Sequence, residues 1–122
     1  MVGMAADEVA AVKVVEIKAT AHEIMIRAIR EKQVLRFNYN GHARVVEPHA
    51  YGVNATGEVV LHAFQTEGDS SSRPPPGWRT FNVGLIEELA ATNERFSQAR
   101  AGYVPGEPPL ETVWAVLEKT AG

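Results

Sequence analysis

The spacing of apolar residues changes near residue 33. Over 21–32 apolar residues recur every three to five positions, which predicts a helix. Thr20 and Glu23 match a capping box, in which each residue caps the backbone of the other, so the helix should begin just after Thr20. Residues 1–19 fit either a helix or a strand, because they combine alanines with β-branched residues. We favour a separate strand over 11–18.

From residue 34 onward the apolar positions alternate, as in strands that are buried on one side. Asn40-Gly41 is a strong hairpin signal, because both positions accept positive φ. Pro48 has no backbone N–H, so it marks a bulge or a sheet edge in the second strand. The pattern predicts four or more strands, with segments at 34–39, 43–48 continuing through 50–53, 58–65 and 78–83.

Gly-, Ser- and Pro-rich stretches at 66–77 and 101–109 are predicted to be loops, and we expect the first to be mobile. Beyond the strands, Leu85, Ile86 and Leu89 suggest a short helical turn. A C-terminal helix over 110–119 is predicted because its apolar residues have helical spacing. The fold class is therefore mainly β (α+β): a small, bent β-barrel or partial barrel with an N-terminal and a C-terminal helix outside it, forming one domain over 20–122.

Composition narrows the class of protein. The chain has 122 residues, 45% of them hydrophobic and 22% charged, as expected for one globular domain. No apolar run approaches the ~20 residues that a membrane-spanning helix needs, and Asp7 and Glu8 stand where a signal peptide is basic. Cysteine is absent, which fits the cytoplasm. A net charge of −3 argues against general nucleic-acid binding.

Motifs of common enzymes are missing, including phosphate-binding loops and the Gly-x-Ser-x-Gly elbow. The histidines His22, His42, His49 and His62 have no metal-ligand spacing, so each is better explained as a surface or hydrogen-bonded residue. The sequence therefore predicts a protein that is not an enzyme and has no cofactor or metal.

Basic residues on the predicted strands are the best candidates for binding. Arg44 shares its strand face with Val46, Arg79 shares its face with Phe81, and His62 lies among apolar neighbours. A half-buried cation needs a partner, either a protein carboxylate or an anionic ligand. One interpretation is structural, with the arginines paired to Glu47, Glu58 or Glu87. The other is a small anion-binding pocket with two forked guanidinium groups.

Residues 24–89 resemble a WYL domain, a small ligand-sensing β-domain found mainly in bacterial transcription regulators. The similarity lies in the apolar stretch Ile24–Ile29, in VLRFNYNGHARVVEPHAYGV, in GEVVLHAFQ and in WRTFNVGLIEEL. The Trp-Tyr-Leu triplet that names the family falls on Val59, Val60 and Leu61, so two aromatic rings are lost. The chain also differs by the insertion at 66–77, and the residues before the domain are too few for a helix-turn-helix.

The resemblance implies an Sm-like or SH3-like barrel and a polar site for nucleic acid or a nucleotide-like effector. Carried over by position, Arg44 precedes the Glu-Pro pair and Arg79 precedes the Phe of the last strand, while His49 is a weaker match. Tyr39 also fits the pattern, but its ring is expected in the core.

The leading hypothesis is a non-enzymatic, stand-alone ligand-binding domain. Arg44 and Arg79 would clamp a small anionic ligand or single-stranded nucleic acid, and His49 or His62 would add a donor. Binding would act on a partner regulator protein. The alternative is an interaction module with structural arginines, in which the barrel edge or the C-terminal helix with Trp114 forms a homodimer or docks a partner.

Overall fold

The structure is a computed structural model that describes residues 20–68 and 74–118. These ranges contain one α-helix, α1 (Ala21–Glu31), a 3₁₀ turn at Val83–Leu85, and six strands: β1 (Gln33–Tyr39), β2 (His42–Val53), β3 (Val59–Gly68), β4 (Gly77–Asn82), β5 (Glu87–Arg95) and β6 (Thr112–Val116). The predicted strand at 11–18 lies outside the described residues.

Helix α1 forms as its sequence predicts. The Thr20 hydroxyl accepts a hydrogen bond from the Glu23 amide, the Glu23 carboxylate accepts one from the Thr20 amide, and the capping box is complete. The helix ends at Lys32, whose φ of 54° is left-handed. Its apolar side, Met25, Ala28 and Ile29, is buried against the sheet.

The strands form an antiparallel sheet in the order β4-β3-β2-β1-β5. Strand β2 is the long shared element. One edge of β2 pairs with β3, while the other edge pairs with β1 near its start and with β6 near its end. The mainly β fold is therefore confirmed. The described pairings give an open sheet, and the expected closed barrel is not seen in them.

Two features of this sheet lie where local sequence signals predict them: the β1–β2 turn and the bulge in β2. Asn40 and Gly41 both have positive φ, 52° and 77°, and join β1 to β2 as predicted. The register of β2 against β3 shifts between Pro48 and Ala50, so the expected bulge is present and His49 is its extra residue.

The two faces of the sheet have different coverings. Residues paired across antiparallel strands share a face, so the row Tyr51, Leu61 and Phe81 marks one face, which α1 covers; we call it the core face. The row Glu47, Phe64 and Trp78 marks the other, the second face. The irregular segment 96–103 covers the second face, with Phe96 and Tyr103 buried.

The predicted C-terminal helix is wrong, because residues 112–116 form strand β6. The register of β6 against β2 shifts at Trp114, where Val113 pairs with Gly52 and Ala115 pairs with Tyr51. An extra residue in a strand breaks its two-residue alternation. The apolar residues then recur at three and four positions, which is also the spacing of a helix.

Two smaller expectations also need correction. The helical turn near Leu85 is only the 3₁₀ turn at Val83–Leu85, and the next residues form the edge strand β5. Strand β3 continues to Gly68 and β4 begins at Gly77, so the loop is shorter than 66–77. Residues 69–73 lie outside the described ranges, and the mobility of the loop stays a prediction. Among the described residues no helix has the length and apolar character needed to cross a membrane.

The pairing of β6 with β2 can be tested at Gly52. A Cβ at Gly52 would collide with the Thr112 carbonyl oxygen. We expect Gly52→Ala to lower the free energy of unfolding by about 3 kcal/mol, the scale of overpacking. Gly57→Ala is the control, because a Cβ there meets nothing within 4 Å and only its φ of 85° is strained, which costs about 1 kcal/mol. Urea denaturation measures both, and equal losses would contradict the β2–β6 pairing.

Candidate functional site

Arg44 lies on the core face of β2 and is only 4% exposed. Its Nη1 donates to Gln65 Oε1 at 3.2 Å and its Nη2 donates to the Tyr39 carbonyl oxygen at 3.1 Å. The guanidinium also lies 5.4 Å from the centroid of the Tyr39 ring and 5.7 Å from that of Phe81. These hydrogen bonds and ring contacts help to fix the position and orientation of the guanidinium.

Arg79 lies on the same face, two strands away on β4, and is 8% exposed. Its Nη1 donates to the Trp78 carbonyl oxygen at 3.0 Å. A Cβ at Gly77 would lie 2.8 Å from Nη1, so the guanidinium folds back over this glycine. Gly77 is the register partner of Gln65. The two arginines thus flank Gln65 on one face, and we call Arg44, Gln65 and Arg79 the arginine cluster.

A cavity of about 240 Å³ lies between β1, β2 and β5, and Arg44 is part of its lining. Its lining also includes Arg36, Asn38 and Glu88. Arg36 and Asn38 pair with Val45 and Ala43, so their side chains alternate with those of Phe37 and Arg44 and lie on the second face. Asn38 Nδ2 donates to Glu88 Oε2 at 3.0 Å, so this carboxylate is already held on one side. The cavity is somewhat smaller than typical ligand pockets, which hold about 300–1,000 Å³.

His49 lies at the bulge of β2 and is completely buried. Its Nδ1 is 2.8 Å from the Glu47 carbonyl oxygen, which can only accept, so Nδ1 carries the proton. Its Nε2 accepts from the Arg100 amide at 3.1 Å. Both contacts require the neutral ring, and burial lowers the pKa of His49 below 6.5. The ring is also packed against Trp78, Phe96 and Tyr103.

His62 lies on the second face of β3. Its Nδ1 is 3.2 Å from the Thr80 hydroxyl, and its ring stacks on Trp78 with centroids 4.8 Å apart and planes 6° apart. Burial lowers the pKa of His62 as well. The rings of His62 and His49 thus both pack against Trp78.

The four predicted site residues therefore separate into two pairs. Arg44 and Arg79 meet around Gln65 on the core face, whereas His49 and His62 meet around Trp78 on the second face. A sheet lies between the pairs, so the histidines do not face the same site as the arginines. Among the described residues, no group of three His, Asp or Glu side chains is placed to hold a metal ion.

Glu47 and Glu58, which were considered as partners of Arg44 and Arg79, accept hydrogen bonds from other residues. Glu47 lies on the second face, where both of its oxygens accept from Arg100 at 2.7 and 3.0 Å. This hydrogen-bonded pair raises the pKa of Arg100. Glu58 accepts from Asn82 and Thr56 at the end of the sheet.

Sequence reasoning did not single out two residues that make important contacts, Gln65 and Arg100. Gln65 shares strand parity with the buried Ala63 and Leu61, so a buried amide could have been predicted there. Arg100 lies in an irregular segment with no periodic signal, and its contacts with Glu47 are 53 residues apart in sequence.

The neutral His49 ring predicts acid sensitivity. Unfolding frees His49 to take up a proton near its ordinary pKa of 6.5, whereas the folded state resists protonation. The unfolded state therefore binds more protons, and the free energy of unfolding falls as the pH drops below about 6.5. We expect urea midpoints to decrease from pH 7.5 to pH 5.5.

His49→Gln should reduce this pH dependence but not abolish it, because burial also lowers the pKa of His62. It should also lower the stability by about 1–3 kcal/mol, because buried polar groups lose their partner. His42→Gln is the control, since His42 is half-exposed at the start of β2. A pH dependence that is reduced more in His42→Gln than in His49→Gln would contradict the assignment.

Comparison of the chain with protein-family models, with curated proteins and with solved structures finds no match. The resemblance to WYL domains therefore rests on the residues quoted from the sequence.

Proposed function

We propose that this chain is a non-enzymatic, WYL-like domain that binds a small anionic ligand, a nucleotide or a short oligonucleotide, at the arginine cluster. In this proposal the phosphate group contacts Arg44 and Arg79, and ligand binding acts on a partner regulator protein. His49 and His62 hold the fold and are no longer part of the binding site, because they lie on the second face.

One observation carries the proposal: two buried arginines share one sheet face and flank a single amide. Arg44 binds Gln65, and the Arg79 guanidinium lies over Gly77, the residue paired with Gln65. Gln65 Oε1 and the Tyr39 and Trp78 carbonyl oxygens accept from the two guanidiniums and orient them. An oxyanion is bound most strongly by forked donors that are already oriented.

The donors of the arginine cluster favour a phosphate over a carboxylate on a large hydrophobic ligand. Arg44 and Arg79 offer several N–H donors on one face of the sheet. Such a site suits a compact group with several acceptor oxygens. The nucleoside part of a nucleotide would then lie outside the cluster.

Stacking of bases is not expected at the family's Trp-Tyr-Leu position. That position falls at the start of β3, where Val60 and Leu61 are buried. Valine offers no ring face to a base. The proposal therefore places the affinity in the phosphate contacts, and binding should weaken as salt is added.

The proposal includes the finer fold expected of the family. Support comes from β2, which is bent by the bulge at His49 and shares one edge between β1 and β6. A long strand that serves two parts of a sheet in this way is a means of curling a small sheet toward an Sm-like or SH3-like barrel.

The test is a binding titration with Arg79 variants. ATP is titrated by calorimetry, and a fluorescent oligothymidylate by anisotropy, at about 50 and 200 mM salt, a range over which phosphate-dominated binding weakens strongly. We expect Arg79→Ala to weaken binding by about 1.5–3 kcal/mol, the scale of a hydrogen bond to a charged group. Arg79→Lys keeps the charge but loses the forked pair of donors. Its affinity should therefore lie between those of the unchanged protein and of Arg79→Ala.

Arg30→Ala is the matched control, because Arg30 is exposed on α1 and away from the cluster. Circular dichroism of each variant reports whether the fold is kept. Folded Arg79→Ala protein with unchanged affinity would refute the proposal, as would an equal loss in Arg30→Ala. Loss of the fold in both Arg79 variants would instead show that Arg79 is structural.

A further inference from the structure

Strand β6 has an exposed apolar edge of the kind that pairs with a further strand. Among the residues that the structure describes, β6 pairs with β2 alone. It contains no charged residue and no proline, and three of its five side chains are exposed and apolar: Val113 at 54%, Trp114 at 36% and Val116 at 39%. Natural sheets avoid open edges of this kind, because such edges pair with other strands.

Strand β5, at one end of the sheet, shows the contrast. It carries Glu87, Glu88, Glu94 and Arg95, and its described side chains are mostly exposed. Charged side chains protect an edge against pairing. The same chain therefore protects one edge with charge and leaves the β6 edge apolar.

The start of α1 lies beside this apolar edge. The His22 ring packs edge-on against Trp114 with centroids 4.9 Å apart, and its Nδ1 lies 2.8 Å from the Tyr51 hydroxyl. The capping box fixes Thr20 two residues before His22. The 19 residues that precede Thr20 in the sequence therefore join the fold next to Trp114.

The sequence of residues 11–18, AVKVVEIK, is suited to pairing with this edge as a strand. Its four apolar β-branched residues favour a strand, and it contains neither Gly nor Pro. Lys13 and Lys18 outnumber Glu16 and leave the segment with a net positive charge, while the exposed Glu111 and Glu118 stand on either side of β6. Five extended residues span about 17 Å, the length of a strand such as β6, so the segment is long enough to follow the edge.

We propose that the apolar edge of β6 is a docking surface for residues 11–18 of the same chain. The segment adds backbone hydrogen bonds to the outer edge of β6 and covers Val113, Trp114 and Val116. This inference is independent of the arginine cluster, and it makes the N-terminal segment an integral part of the fold.

Disulfide trapping in the full chain tests the proposal directly, because the protein has no cysteine of its own. Val113→Cys is combined in turn with Val12→Cys, Val14→Cys, Val15→Cys and Ile17→Cys, and oxidised with glutathione disulfide. Non-reducing electrophoresis and peptide mass spectrometry distinguish links within one chain from links between chains. We expect links within the chain, fastest at the alternate positions that share the face of Val113.

The control combines Val113→Cys with Val2→Cys, which lies outside the docking segment but belongs to the same N-terminal region. It should link at least tenfold more slowly than the fastest pair in 12–17. Equal rates at positions 2 and 14 would overturn the proposal, since a tethered chain without docking gives that result. Disulfide-linked dimers of Val113→Cys alone would also overturn it and assign the edge to a second copy of the chain.

Discussion

The bulge residue His49 joins β2 to three parts of the chain that are distant in sequence. Its ring donates to the Glu47 carbonyl and accepts from the Arg100 amide, while its carbonyl accepts from the Leu117 amide at 2.7 Å and from the Tyr103 hydroxyl at 3.4 Å. Burial raises the pKa of Tyr103 to about 12, so this hydroxyl stays protonated and can donate. A fully buried ring with both nitrogens satisfied fixes the bulge in one geometry.

That bulge determines how the rest of the sheet is arranged. Before it, one edge of β2 holds β1, and after it the same edge holds β6. The segment that runs from β5 to β6 is held on the second face by Arg100, which binds Glu47 and lies 4.6 Å from the centroid of the Phe64 ring. The second face is thereby closed by aromatic and ionic contacts, and the arginine cluster is left to the core face.

The two faces of the sheet carry chemically different side chains. Neutral histidines and aromatic rings stabilise one side of β3, and oriented guanidiniums lie on the other side. A residue on one side can be changed without directly touching the other, because the strands themselves lie between them. The contacts of the histidines and the proposed binding site can therefore be altered separately in this protein.

Local signals in the sequence predicted much of the fold. The capping box fixed the start of α1, the Asn40-Gly41 turn fixed the β1–β2 hairpin, and Pro48 marked the bulge. Each depends on the backbone preferences of one or a few adjacent residues. Strand β5 was missed because, as an exposed edge, it lacks alternating apolar residues, and β6 was mistaken for a helix because of its irregularity at Trp114.

The sequence by itself determined that Arg44 and Arg79 are on strands and share faces with apolar residues, because side chains alternate along any strand. Only the tertiary structure decided that the two arginines flank Gln65 and that His49 and His62 face away from them. Which strands become neighbours, and in which register, depends on contacts between residues far apart in the chain. The pairing of Arg100 with Glu47 across 53 residues is such a contact, and no local pattern encodes it.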